Sequence, residues 1–299
     1  MTAPADGAIA VVIAVFDWIA EPWAAEFMRR AFVEAVLCGS TSGALGGFVL
    51  VRRLSFLGES ISHTVVLGAA LALLLGLPLG LGGVLVAVAT AGLTGAIASD
   101  RRLSANTATG VLLPTLFAAG VAVLAATGGA RRLDDLLFGS ILGVGGEDLV
   151  LAGAVALAVL VVFAVAGKEL VFVTFDRVSA RALGYRVAVL DAVLLTLVAL
   201  AVTAGLRAVG SILLAGLLLG PPLAARLVCR TFWPMVALAA VLGALGGVAG
   251  LYISWHLEVG AGPAIVLAVA ATVGLAALYA ATQQREGVER RLRARAPGC

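Results

Sequence analysis

Nine apolar runs decide what this chain can fold into. They fall at 32–51, 58–77, 79–98, 107–126, 149–166, 187–206, 209–227, 233–254 and 261–281, parted by short joints that hold most of the charge. A run of about 20 residues wound as an α-helix covers the roughly 30 Å of a bilayer's hydrocarbon, where the backbone must satisfy its own hydrogen bonds. With 62% hydrophobic and 12% charged residues and a mean hydropathy of +1.12, too little charge remains to coat a soluble domain, which carries about 25%. The expected fold is all-α, a polytopic transmembrane helical bundle. The joints at 77–79 and 206–209 are so tight that one span could be re-entrant, giving eight to ten crossings around the nine drawn. No Lys or Arg precedes Arg29, so no secretory signal is expected and insertion relies on the spans. The segment 8–20, interrupted by Asp17, fits an interfacial helix. Three regions follow: an extracytoplasmic or interfacial segment 1–28, a transmembrane domain 29–281 and a basic tail 282–299.

Basic residues between spans set orientation, because cytoplasmic loops collect Lys and Arg. With the island 168–186 inside, that side also receives Arg52, Arg53, Arg101, Arg102, Arg226, Arg230 and the tail residues Arg285, Arg290, Arg291, Arg293 and Arg295. This puts 15 of the 20 basic residues inside and Arg29, Arg30, Arg131, Arg132 and Arg207 outside. The tail is then cytoplasmic and, with nine spans, the N-terminus lies outside. The outer segments hold nine acids against those five bases. That balance favours cations at the mouth, over a reach of only about 8 Å at physiological salt, and it equally follows from depletion of outer Lys and Arg.

The island itself, KELVFVTFDRVSARALGYR from Lys168 to Arg186, carries helix punctuation that a plain loop does not require. Its small residues Ala180, Ala182 and Gly184, with Asp176 and Arg181 alongside, would let a short helix seat closely on another surface. The alternative is an ordinary cytoplasmic loop whose bases only set orientation.

Charge inside a membrane costs about 3 kcal/mol at a helix centre on insertion scales, so each intramembrane polar group is a site candidate. Glu59 and His63, in GESISHTVVLG at the start of the second span, are four apart and share a helix face. A carboxylate and an imidazole are suitable ligands for a divalent transition metal. Two ligands do not close a site, and a hydrogen-bonded pair holding the helix end reads equally well. Glu34 and Asp191 are placed near membrane faces, where each snorkels or pairs with a base. His256, among aromatics in YISWHLEVG, reads as an interfacial belt residue.

Gly39, Gly43 and Gly47 on the first span, and Gly243, Gly247 and Gly250 on the eighth, are spaced for tight helix contacts. Pro221 and Pro222 are expected to break or kink the seventh span, either along a pathway or buried in protein. Cys38, Cys229 and Cys299 lack metal-ligand spacing and are expected to be free thiols. No nucleotide-binding or nucleophile motif is visible, so no catalytic residues are assigned and any energy comes from a partner or a gradient.

The run RRLSFLGESISHTVVLGAALALLLG (Arg52 to Gly76) resembles the signature of the membrane subunits of divalent-metal ABC importers, the zinc and manganese permease family (ABC-3 type). Matching patterns follow in order in LLFGSILGV (136–144), TFDRVSARALGYR (174–186), AVGSILLAGLLLGPPLAARL (208–227) and GLYISWHLEVGAGPAIVLA (250–268), so the likeness covers roughly residues 25–281. It implies a permease subunit in the bacterial cytoplasmic membrane that is no enzyme itself and binds no cofactor. A cytoplasmic ABC ATPase would consume ATP, an extracytoplasmic binding protein would deliver zinc, manganese or iron, and a second permease copy would complete the pore. It assigns Glu59 and His63 to the metal path and the segment holding Asp176, Ala180, Arg181, Ala182 and Gly184 to ATPase coupling. Two departures stand out: Glu59 replaces the family's usual Asp, and Pro263 follows rather than precedes the small-residue pair of the last joint. The alternatives are an ABC permease for a metal chelate such as a siderophore or cobalamin, which needs a wider outer vestibule, and a gradient-driven secondary transporter. The latter usually shows internal repeats with paired broken helices, and none is apparent.

Overall fold

The computed structural model describes residues 20–77, 79–97, 105–127 and 143–295. Most of the expected interfacial segment 8–20, the acid-and-base cluster 131–135, the basic pair 101–102 and nearly all of the patch 136–144 lie outside them. All regular structure among the described residues is helical. The helices are α1 (Glu26–Val51), α2 (Ser55–Leu75), α3 (Leu79–Ile97), α4 (Ala105–Ala126), α5 (Gly146–Phe175), α6 (Arg177–Ala182), α7 (Val187–Val209), α8 (Ser211–Val228), α9 (Phe232–Leu257) and α10 (Ala261–Arg295). Nine long helices thus stand on the nine apolar runs, with one six-residue helix inside the charged island. Six of the nine (α1, α4, α5, α7, α9 and α10) are long and apolar enough to cross a membrane, while α2, α3 and α8 carry shorter apolar stretches.

α1 is the spine of the bundle, packed on α9 and α8 and touching α5 and α7; α2 pairs with α3 and α4, and α10 covers α8 and α9. Phe32, Leu45 and Phe48 of α1 are fully buried. In contrast, Leu157, Leu160 and Val165 of α5 and Leu267, Leu275 and Leu278 of α10 stand exposed. Large apolar side chains facing outward from a bundle whose own core is apolar suit a lipid solvent.

The glycine spacings act as expected. Gly39 lies against the Gly243 backbone, Gly43 against Ala239, Gly47 against Val236 and Gly247 against Ala35, so α1 and α9 meet backbone to backbone. Gly250 instead packs on Ile265 of α10.

Pro221 and Pro222 do not break their helix: α8 runs through them to Val228, and both are buried. A proline removes the N–H that would bond the carbonyl four residues back, which for Pro222 is that of Leu218. The Leu218 oxygen takes the place a Gly46 side chain would occupy on α1, with the Pro222 ring beside it. The freed carbonyl is turned onto a Cα–H of the neighbouring helix, so the prolines sit at a helix-helix seam.

Aromatic rings gather at both ends of the bundle. At one end Trp23 stacks on Phe32 and donates through Nε1 to the Tyr252 hydroxyl at 2.6 Å, with Phe27 near Trp255 and His256 stacked on Tyr252. At the other, Phe48, Phe163, Phe175, Phe232 and Trp233 interlock. Rings of this kind suit the two interfaces of a membrane protein, and His256 stands among those at one end.

Candidate functional site: a six-residue platform and the α2 pair

The island resolves into three parts. Its first eight residues extend α5 to Phe175, making a helix of 30 residues, about 45 Å long at 1.5 Å per residue and so longer than a bilayer's hydrocarbon. The chain then turns into α6. Asp176 caps it, its Oδ1 accepting from the N–H groups of Val178 at 3.1 Å and Ser179 at 2.9 Å. The contact with the Ser179 side chain, and then those backbone bonds, favour the ionised carboxylate and hold the Asp176 pKa below its ordinary value.

At its far end the N–H of Gly184 bonds to Arg181 O and that of Tyr185 to Ala180 O, each at 3.0 Å. This crossed pair, with Gly184 at φ +84°, is the Schellman arrangement, which needs a left-handed residue after the last turn. Gly184 is therefore a backbone requirement, and within the chain a Cβ there would meet nothing within 4 Å.

Ala180 is fully buried against Val173 and Val187; it fastens α6 to α5 and α7 and cannot touch a partner. The outward surface includes Arg181 and Ala182, as the sequence suggests, but most of its apolar area comes from residues that carry no such signal in the sequence: Val178 is 79% exposed, Leu183 70% and Phe175 64%, with Tyr185 also outward. A helix end, a short capped helix and a turn thus present apolar side chains beyond the span.

Beneath this platform lies a charged cluster. Arg52, directly after α1, has a side chain only 4% exposed. It donates from Nε to Thr174 Oγ1 at 2.9 Å, from Nη1 to Asp191 Oδ1 at 2.6 Å and from Nη2 to Leu170 O at 3.5 Å. Burial draws the Arg52 pKa down, Asp191 opposes this and Arg177 adds to it; a guanidinium stays protonated regardless. Arg177, the first residue of α6, donates Nη2 to both oxygens of Asp191 at 3.0 Å. Asp191 therefore pairs with bases as the sequence suggests. Glu34 does not: it is fully buried and accepts from Cys38 Sγ at 3.3 Å. Cys38 and Cys229 are free thiols.

Glu59 and His63 lie on one face of α2, both half-buried. The His63 ring meets Phe117 of α4 edge-on at 5.6 Å. Between and beyond them Ser60, Ser62 and Thr64 are buried, and Thr90 of α3 donates to Thr64 Oγ1 at 3.3 Å. This gives α2 a polar stripe that alternates with its apolar packing. Among the described residues no three His, Cys, Asp or Glu side chains converge as a metal site, so there Glu59 and His63 have no third such ligand beside them.

Residues 24–281 match the family model described as the ABC 3 transport family. The chain is 31% identical over 260 residues to the manganese import system permease protein ScaB of Streptococcus parasanguinis, covering 87% of this chain and 92% of that one. It is 32% identical over 265 residues to the chelated iron transport system membrane protein YfeD of Yersinia pestis, covering 89% of each. Its fold matches a chain of PsaBC from Streptococcus pneumoniae in complex with Fab at a TM-score of 0.81 and 29% identity, over 88% of this chain and 95% of the other. The helical bundle of the described residues and the match along most of its length make this chain a member of the ABC 3 transport family, an integral membrane permease.

Proposed function

We propose that this chain is the membrane-spanning subunit of an ATP-driven importer for a divalent transition metal, manganese or iron by its relatives' names and zinc by the wider family resemblance. The observation that carries the reading is α6: a six-residue helix, capped at both ends and fastened by Ala180 at the end of the overlong α5, which leaves apolar side chains exposed. Exposed apolar groups beyond the membrane suit docking by another protein, and the motif around them is the one the sequence likeness assigns to ATPase coupling. In this reading Phe175, Val178, Leu183 and Tyr185 form the surface seated in the ATPase, Asp176 and Gly184 shape the helix, and Ala180 anchors it. The platform is cytoplasmic together with Arg52, Arg226, Arg230 and the C-terminal tail, and the aromatic end holding Trp23 and Tyr252 faces outward, toward a metal-binding protein.

Glu59 and His63 would line the path and hold the metal transiently. Further ligands would come from water or a second copy of the chain, which keeps the site weak enough to release its cargo. Complexes with the ATPase and binding protein, reconstituted in vesicles, test both parts. Val178→Asp adds an acid in the first turn of α6, where it favours the helix, and is expected to lose the ATPase on co-purification. His63→Ala is expected to abolish uptake of radioactive manganese and iron per assembled complex, and Glu59→Gln nearly so. Unchanged normalised uptake in both α2 variants would remove the pathway assignment.

A further inference from the structure

We propose that Asp191 is a positioning residue, a clasp with one fixed and one releasable arm that ties the docking helix to α1 and, through α1, to the helix carrying Glu59 and His63. The inference rests on the reading of α6 as the ATPase platform. Three helices converge on one carboxylate: Asp191 lies in the second turn of α7, Arg52 caps α1, and Arg177 opens α6.

The two arms differ in their surroundings. The Arg52 arm is short and enclosed, at 2.6 Å with the guanidinium 4% exposed, and it is braced by Thr174 and Leu170 of α5. Parting a buried pair leaves an uncompensated charge, so this arm stays closed while the protein is folded. The Arg177 arm is 3.0 Å long from a side chain 48% exposed, and an exposed pair of that kind is easily exchanged for water and weakened by salt.

What Arg52 is fixed to matters as much. α1 ends in a crossed hydrogen-bond turn, Arg53 N–H to Leu50 O at 3.0 Å and Leu54 N–H to Val49 O at 2.9 Å, and α2 begins at Ser55. No slack separates Arg52 from the first turns of α2, where Glu59 stands. A pull on α6 transmitted through Arg177 to Asp191 therefore reaches the junction of α1 and α2 through hydrogen-bonded groups only. When the Arg177 arm opens, α6 can pivot with its ATPase while Asp191 and Arg52 remain locked. The clasp would set how faithfully movement of the platform reaches the metal path.

The test is the amount of manganese taken up per ATP hydrolysed by the full complex in vesicles. Arg177→Ala is expected to assemble at the wild-type level and to lower this ratio about two- to five-fold, the range an exposed ion pair allows. Arg177→Lys, which keeps the charge and loses the fork, should recover part of it. Raising salt should bring the wild-type ratio down toward that of Arg177→Ala while leaving the variant flat, a convergence that a merely structural role would not produce. A wild-type ratio for Arg177→Ala at every salt concentration overturns the clasp. The docking reading fails separately, if the ATPase still co-purifies with Val178→Asp.

Discussion

The backbone contact of Gly39 on α1 with Gly243 on α9 offers a sharp test of how the bundle is held together. An alanine Cβ at Gly39 would stand 2.7 Å from the Gly243 carbonyl carbon and 3.1 Å from the Ala244 nitrogen, against about 3.5–4.0 Å for comfortable contact. Relief requires α1 and α9 to part locally by about 1 Å, which forfeits a quarter to a half of each facing well of 0.1–0.2 kcal/mol. Over a few tens of atom pairs the loss is about 1–3 kcal/mol, the usual cost of overpacking. Gly153 of α5 provides the control, since a Cβ there meets nothing within 4 Å. Gly153→Ala should be neutral or stabilising by up to about 1 kcal/mol through backbone entropy. Because both substitutions are Gly→Ala inside long helices, propensity and composition cancel and only the α1–α9 contact differs. The assay is reversible unfolding in mixed micelles by added dodecyl sulfate, followed by tryptophan fluorescence. Gly39→Ala with Gly243→Ala should cost less than the sum of the two singles, since one separation accommodates both methyls. Equal midpoints for Gly39→Ala and Gly153→Ala would refute the argument that backbone proximity, and not apolar burial alone, fixes this pair.

Other outcomes follow from the same geometry. Arg53 is a non-glycine residue at φ +57° in the turn after α1, so Arg53→Gly should stabilise the protein by about 1 kcal/mol in the same titration. Asp191→Asn leaves Arg52 buried without its counter-charge and should lower stability by about 3–5 kcal/mol, seen as loss of monodisperse protein on size exclusion. Since the folded-state pKa of Asp176 is depressed, its contribution to α6 is complete above the ordinary aspartate pKa of about 3.9 and is lost as pH falls through the lower folded value. Hydrogen exchange of amides 178–182, corrected for intrinsic rates, should therefore accelerate on acidification, and Asp176→Asn should flatten that dependence. In a background without native cysteines, Val178→Cys should label only from the cytoplasm and Val259→Cys only from outside; labelling from one side would overturn the alternation of helices between them.

The apolar runs alone determined the helical class and the number of long helices, because backbone in hydrocarbon has no partner but itself. Sequence spacing likewise identified the glycine seams at Gly39, Gly43 and Gly243, since four-residue periodicity places small residues on one face whatever lies opposite. The island was legible as a short helix because its cap and its closing glycine are local chemistry. Which of its faces is free was not: Ala180 and Val178 are both apolar residues in sequence, and only the packing of α5 and α7 buries the first and leaves the second exposed. Pro221 and Pro222 signal a break until a neighbour supplies Gly46 for the freed Leu218 carbonyl. Asp191 announces itself only as a charge near a membrane face. That it gathers Arg52 from 139 residues away and Arg177 from 14 depends on three helix ends meeting at one level, a coincidence of tertiary structure that no local pattern encodes.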